Sequence, residues 1–272
     1  MSSTTTFQTS PAGIKMLLRH WEASDPWAVL LMVHGLAEHS GRYEALGQFF
    51  ADAGIEVVSY DKRGFGASEG RRAYVDHFSD YLDDLEWVID DVRERGLPVI
   101  LFGHSLGGIT ALMYSLDSRP APDLLVLSAP AIDAEIPFAK KAAAHILGRL
   151  VPRFLIGNDL DDEQLSSDPE VVAAYHADPL VYERTTARMG LEWMLAMEAA
   201  QASLGELPVR TLVLHGGADI IVLPSVSEPF EHIEIADRIV FPGFRHEIFN
   251  EPEGRRAMET TLDWIRDQLE AE

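Results

Sequence analysis

The 272-residue chain contains no cysteine. Disulfide frameworks, thiolate metal sites and cysteine nucleophiles are therefore excluded. Basic residues are few: 22 Lys and Arg stand against 44 Asp and Glu, a net charge of −22 with neutral histidines. Only four of the 22 are lysines. A phosphate backbone needs a basic face, so nucleic acid is excluded as a partner. The same charge disfavours stable docking on an anionic membrane. Long hydrophobic runs are missing as well. Trp27–Val33 and Val99–Phe102 fall far short of the ~20 residues that span a bilayer. Residues Met1–Ser10 hold no basic residue and no apolar core of a secretory signal. The expectation is a cytoplasmic protein whose Ser/Thr-rich positions 2–6 form a frayed tail.

What is present is the composition of a folded protein, with 47% hydrophobic and 24% charged residues. Short apolar runs alternate with helical patterns. Trp27–Val33, Ile55–Tyr60, Pro98–Phe102, Leu124–Leu127, Val209–Leu214 and Arg238–Phe241 read as strands. Arg42–Ala53, Phe78–Arg95, Leu106–Leu116, Pro224–Glu234 and Glu253–Leu269 read as helices. The first run is apolar throughout, which suits a strand buried on both faces. The alternation predicts an α/β fold, a mainly parallel central sheet flanked by helices. Residues 131–204 break the rhythm. They offer helices at Phe138–Leu150, Pro169–His176 and Thr185–Leu204 and no convincing strand. The last of these carries more apolar surface than one core-facing stripe requires. The insertion is either a helical cap over a pocket or extra helices packed on the sheet.

Gly103-His-Ser-Leu-Gly107 matches Gly-x-Ser-x-Gly, with a strand ending just before it and a helix starting just after. That context is the nucleophile elbow, which lifts a serine hydroxyl clear of the sheet. A serine hydroxyl is a weak nucleophile and needs a base. In this fold the order is Ser, acid, His. His145, His176, His215, His232 and His246 all follow Ser105. His246 is favoured, because it lies in the loop after the last strand. Asp219 follows the strand ending at Leu214 and qualifies as the acid; Asp133 competes, and Asp237 starts a strand and so faces the wrong edge. An oxyanion hole needs the N–H of the residue after the serine, Leu106, and a second one, which Leu36 can supply at the end of the first apolar strand. His246-Glu247 lacks a second histidine at zinc-helix spacing, and His34 and His39 lack a third ligand, so no metal site and no cofactor is expected.

These motifs resemble the serine α/β-hydrolases, and within them the monoacylglycerol lipase-like branch, also called the lysophospholipase or serine-aminopeptidase-like group. The resemblance runs from about residue 27 to the C-terminus. It rests on His34-Gly-Leu-Ala-Glu-His-Ser-Gly-Arg-Tyr43, Asp61-Lys-Arg-Gly-Phe-Gly-Ala-Ser68, Gly103-His-Ser-Leu-Gly-Gly108, Leu127-Ser-Ala-Pro130, Gly217-Ala-Asp-Ile-Ile-Val222 and His246-Glu-Ile-Phe-Asn-Glu251. Ser167–Leu180 is similar to bacterial monoacylglycerol lipases in particular. One departure is Phe65, where the family usually has histidine at a structural position.

The resemblance implies an α/β-hydrolase fold with a core at 1–130 and 205–272 and a helical cap at 131–204. It implies Ser105, Asp219 and His246 as the triad and the amides of Leu36 and Leu106 as the oxyanion hole. The implied reaction is ester hydrolysis through an acyl-enzyme, releasing glycerol and a fatty acid from a monoacylglycerol. Met189, Met194 and Met197 are candidate contacts for the acyl chain of this lipid ester, because Met adapts to irregular apolar shapes. A general carboxylesterase or lysophospholipase is the nearest alternative. An aminopeptidase would need cap carboxylates such as Asp161, Asp162 and Glu163 to hold a substrate amine. A non-catalytic ligand-binding protein on the same scaffold is the alternative from another class.

Overall fold

A computed structural model describes residues 2–134, 138–157 and 161–270. Positions 135–137 and 158–160 of the expected cap lie outside the described residues. In chain order the main elements are β1 (Thr4–Thr9), β2 (Lys15–Trp21), β3 (Ala28–Val33), α1 (Glu44–Asp52), β4 (Ile55–Tyr60), α2 (Ser79–Arg93), β5 (Val99–His104), α3 (Leu106–Leu116) and β6 (Leu124–Ser128). There follow α4 (Phe138–Leu150), β7 (Leu155–Gly157), α5 (Pro169–Ala177), β8 (Arg184–Thr186), α6 (Ala187–Ser203), β9 (Thr211–Gly216), β10 (Ala236–Phe241) and α7 (Gly254–Glu270).

Eight strands form one sheet in the order β1-β2-β4-β3-β5-β6-β9-β10. From β4 to β10 every neighbouring pair is parallel, and β1 and β2 join antiparallel. The central strands β3, β5, β6 and β9 are buried along their whole length. Their side chains alternate between two cores, as strand geometry demands. Val29, Leu31 and Val33 pack with Leu85 and Ile89 of α2 and Ile109 of α3. Leu30 and Met32 pack with Leu46 and Phe50 of α1 and Leu262 and Ile265 of α7. Each such side chain contributes ~1.5–3 kcal/mol when withdrawn from water. The parallel arrangement brings the C-terminal ends of β3, β5, β6, β9 and β10 to one edge, where the loops at 34–38, 105, 129–134, 217–222 and 242–247 gather.

Three expectations are corrected. The Ser/Thr-rich start is not a frayed tail: Thr4–Thr9 pairs residue for residue with Lys15–His20. All six β1 residues are exposed, so no alternation betrays the strand, and backbone pairing of β-branched threonines holds it. Pro224–His232 is a 3₁₀ helix with Pro229 inside it, since proline removes a helical donor. The insertion is not free of strand: Leu155–Gly157 pairs with Arg184–Thr186. These strands are only three residues long, too short to show a period.

The stretch between β6 and β9 is tied at several points to the segments that connect or follow the sheet's strands. The N–H and hydroxyl of Thr186, which caps α6, both donate to Ala73 O. Phe78 N–H donates to Glu192 and Glu247 N–H donates to Leu165 O, while within the stretch Trp193 Nε1 donates to Ala131 O. His39 Nε2 lies 2.7 Å from Asp178 Oδ2. Helix α4 instead packs on α6. The helices cross closely at Gly148, where a Cβ would stand 2.7 Å from that of Leu191. Among the described residues, no helix is long and apolar enough to cross a membrane.

Candidate active site

Strand β5 ends at His104, and α3 begins at Leu106. Ser105 joins them at φ 52° and ψ −117°, a backbone region costly for any residue with a side chain. Its surroundings hold it there. Ser105 N–H donates to Ser128 O at 2.9 Å, and Ser105 O accepts from Ala131 N at 3.1 Å and Ile109 N at 3.2 Å. Gly107 is required by close approach: a Cβ would strike the carbonyl oxygens of Val33 and His34.

His246 lies in the loop after β10, with Nδ1 2.7 Å from Asp219 Oδ2. The other Asp219 oxygen accepts from Ile221 N at 2.8 Å and Val222 N at 3.0 Å. Burial would raise the pKa of Asp219, but the His246 charge and the hydrogen bonds around the carboxylate hold it well below the usual range. Burial would lower that of His246, but Asp219 outweighs it and the imidazole is raised above its ordinary value. Ser105 and His246 both line one pocket. Among the described residues, no hydrogen bond joins them, as is common before a substrate tightens the site.

The Leu36 N–H has no acceptor among the described residues, and Leu36 lines the pocket. Its orientation is built from His34. Lys62 N–H donates to His34 Nε2 at 2.9 Å, so the ring proton sits on Nδ1 and is donated to Gly35 O at 2.9 Å. That carbonyl belongs to the same peptide as the Leu36 N–H. The preceding peptide is fixed by Gly35 N–H donating to Glu38 Oε1. Burial, and then the Lys62 charge, keep His34 far below its ordinary pKa and therefore neutral. The Leu106 N–H is in the first turn of α3, where backbone donors have no intrahelical partner and the helix dipole favours negative charge.

The pocket has two unlike walls. One is polar. Arg42 donates to both oxygens of Glu247, at 2.5 and 2.9 Å, and to Glu38 at 3.3 Å, with its guanidinium over the Tyr175 ring at 4.8 Å. Sequence reading missed this cluster, although Glu38 and Arg42 stand four apart inside the quoted His34–Tyr43 motif. His104 also lines the pocket, 4.7 Å from the His246 ring. Burial, with the neighbouring His246, pushes its pKa down to about 3, so it stays neutral. The other wall is apolar and includes Trp193, Met194 and Met197 of α6. Met189 lies elsewhere: it is buried in the core, and its Sδ accepts from Tyr81 Oη at 3.7 Å.

Of the remaining candidates, Asp133 alone lines the pocket with Ser105. Asp133 sits exposed at the pocket rim and accepts from the adjacent Ala134 N–H. Asp237 accepts from Trp264 Nε1. His145 lies beside Arg149 and His176 beside Asp162 and Glu163; His232 is exposed. His215 comes within 3.4 Å of Asp219 Oδ2, but it is enclosed by Val222 O and Ser227 Oγ. Asp161, Asp162 and Glu163 do not line the pocket. The ligand atoms of Asp162, His176 and Glu183 lie within 4.8 Å of one another near the surface, the one grouping among the described residues that could hold a metal ion.

The sheet order and the Ser105 elbow above it define an α/β-hydrolase. More narrowly, the chain belongs to the family described as serine aminopeptidase, S33 (Hydrolase_4), which it matches over residues 24–253. It is 33% identical over 271 residues to a monoacylglycerol lipase of Mycolicibacterium smegmatis, covering 94% of this chain and 95% of that one. It is 30% identical over 240 residues to the phospholipase YtpA of Bacillus subtilis, covering 86% and 93%. Its structure is similar to the crystal structure of the Paleococcus ferrophilus monoacylglycerol lipase, with TM-score 0.84 and 32% identity over 92% of this chain and 99% of that one.

Proposed function

We propose that the protein is a serine hydrolase of carboxylic esters that cleaves monoacylglycerols to glycerol and a fatty acid. The observation that carries this reading is Ser105 on its elbow, in one pocket with a His246 that is hydrogen-bonded to Asp219. His246 Nε2 takes the hydroxyl proton as Ser105 Oγ bonds to the ester carbonyl carbon. The amides of Leu36 and Leu106 hold the resulting oxyanion, each worth about 3–4 kcal/mol if fully aligned. The imidazolium, steadied by Asp219, gives its proton to the departing glycerol oxygen. Water then loses a proton to His246 and attacks the acyl-serine, which releases the fatty acid and restores the hydroxyl.

In this reading residues 131–204 are a cap over a core made of 1–130 and 205–272. Met194 and Met197 meet the acyl chain, and the polar wall meets the alcohol. The protein acts in the cytoplasm; cell fractionation with an antibody checks that, and recovery outside the cytoplasmic fraction would refute it. The phospholipase relative supports a second reading, cleavage of lysophospholipids. The test is a panel of mono-, di- and triacylglycerols, lysophospholipids and aminoacyl amides with wild type and Ser105→Ala. Turnover of monoacylglycerols that vanishes in a folded Ser105→Ala supports the proposal. Turnover of lysophospholipids alone selects the second reading, and retained activity in Ser105→Ala sinks both.

A further inference from the structure

We propose that Gly190 sets the length of acyl chain the pocket accepts. This deepens the ester-hydrolase reading and rests on it. Gly190, Trp193, Met194 and Met197 all line the pocket. Their spacing of three, four and seven places them on one face of α6, so a single helical stripe forms part of the apolar lining, beside Leu165, Ile221 and Val222. Three positions of the stripe carry large side chains, and the fourth, one turn into the helix, carries none.

A glycine inside a helix is among the least favourable residues there, because it costs backbone entropy and packs nothing. Two ordinary structural reasons can require one, and neither applies. The backbone at Gly190 is not in the left-handed region. A Cβ built on it meets no atom within 4 Å. The contrast with Gly148 is direct: there the crossing of α4 over α6 leaves no room for a Cβ beside Leu191. What the missing side chain at Gly190 leaves is space in the pocket, at the end of the methionine and tryptophan wall toward the start of α6. In the proposed path an acyl chain bonded to Ser105 lies along Met197, Met194 and Trp193 and continues over the bare backbone at Gly190. A branched side chain at that position would close the passage.

The test measures kcat/KM of the full chain for butyryl, octanoyl and palmitoyl monoglycerides, in wild type, Gly190→Ala and Gly190→Leu, with thermal melting of each. Wild type should hydrolyse the palmitoyl ester readily. Gly190→Leu should lose about tenfold or more on the palmitoyl ester, as one or more methylenes are excluded, while the butyryl ester stays within about twofold of wild type. Gly190→Ala should lower the palmitoyl-to-butyryl ratio by a smaller factor and melt at or above wild type, by up to about 2–4 °C. The proposal is overturned if both variants fold and keep the wild-type ratio, if they lose all three esters equally, or if wild type rejects the palmitoyl ester. Should Gly190→Leu fail to fold, the ratio in Gly190→Ala decides. A wild type inactive on every ester would overturn the hydrolase reading itself, an outcome distinct from an active enzyme with an unmoved chain-length profile.

Discussion

His34 Nδ1 donates to Gly35 O across 2.9 Å, and so fixes the peptide whose opposite end is the Leu36 N–H. His34 never touches the reacting atoms in the proposed mechanism; it aims one that does. His34→Ala should therefore lower kcat by tenfold or more, toward the ~10²–10³ lost when an oxyanion donor is removed, with KM little changed. His34→Gln, which can both accept from Lys62 N–H and donate to Gly35 O, should recover part of the loss. Steady-state kinetics that show unchanged kcat in a folded His34→Ala would break the link between the ring and the oxyanion hole.

In the proposed mechanism His246 works only when neutral, and Asp219 raises its pKa above the ordinary value of ~6.5. Activity should fall as pH drops through a midpoint above that value. Asp219→Asn removes the charge that raises it, so the acid limb of the residual activity should move down in pH. Its kcat should fall by roughly 10⁴, as in serine-protease triads where the imidazole loses its orienting carboxylate. A profile of kcat/KM that is flat from pH 5 to 8, or an acid limb that does not move in Asp219→Asn, would count against the assigned pair.

Arg42 is the cation between two buried carboxylates, Glu38 and Glu247. Arg42→Met should destabilise the fold by about 3–5 kcal/mol, because both charges stay buried without a counterion. The loss should shrink at acid pH, where the carboxylates can take up protons. Urea unfolding at two pH values measures both effects, and a variant as stable as wild type at pH 7 would contradict them.

Lys62 is fully buried, its Nζ has no hydrogen-bond partner among the described residues, and the faces of Phe65 and Tyr81 stand 5.6 and 5.5 Å away. Burial, opposed in part by Glu38, pushes its pKa down to about 7. An unfolded lysine keeps its proton up to ~10.4. Between the two values the unfolded chain binds more protons, so this group makes stability rise with pH from about 7 toward 10. Lys62→Met should remove that slope and raise the melting temperature at pH 7. A variant that melts below wild type at pH 7 would show that the ammonium is stabilised in place.

The alternating strands and helices were legible because β3, β5, β6 and β9 are buried on both faces and so carry unbroken apolar runs. Helices α2 and α7 were legible by their apolar period. The elbow could be read because Gly107 and Ser105 meet a steric demand that few other residues satisfy. What escaped had no such pattern. The threonines of β1 are exposed on both sides, so only pairing with β2 makes them a strand. The cluster of Arg42 with Glu247 joins residues at opposite ends of the chain, and in so acidic a sequence neither glutamate stands out. Met189 and Met194 share a residue type but stand five apart in α6, about 140° around the helix, so one faces the core and the other the pocket.

Ser105 follows β5, whereas Asp219 and His246 follow the consecutive strands β9 and β10, much later in the chain, and the sheet brings them together. On a ribosome Ser105 emerges long before His246. A nascent chain that stops short of the loop after β10 carries an ordinary alcohol at position 105, with no group placed to take its proton. In the proposed mechanism ester cleavage begins only once β10 and the loop after it have docked, so the onset of activity reports the assembly of this edge of the sheet.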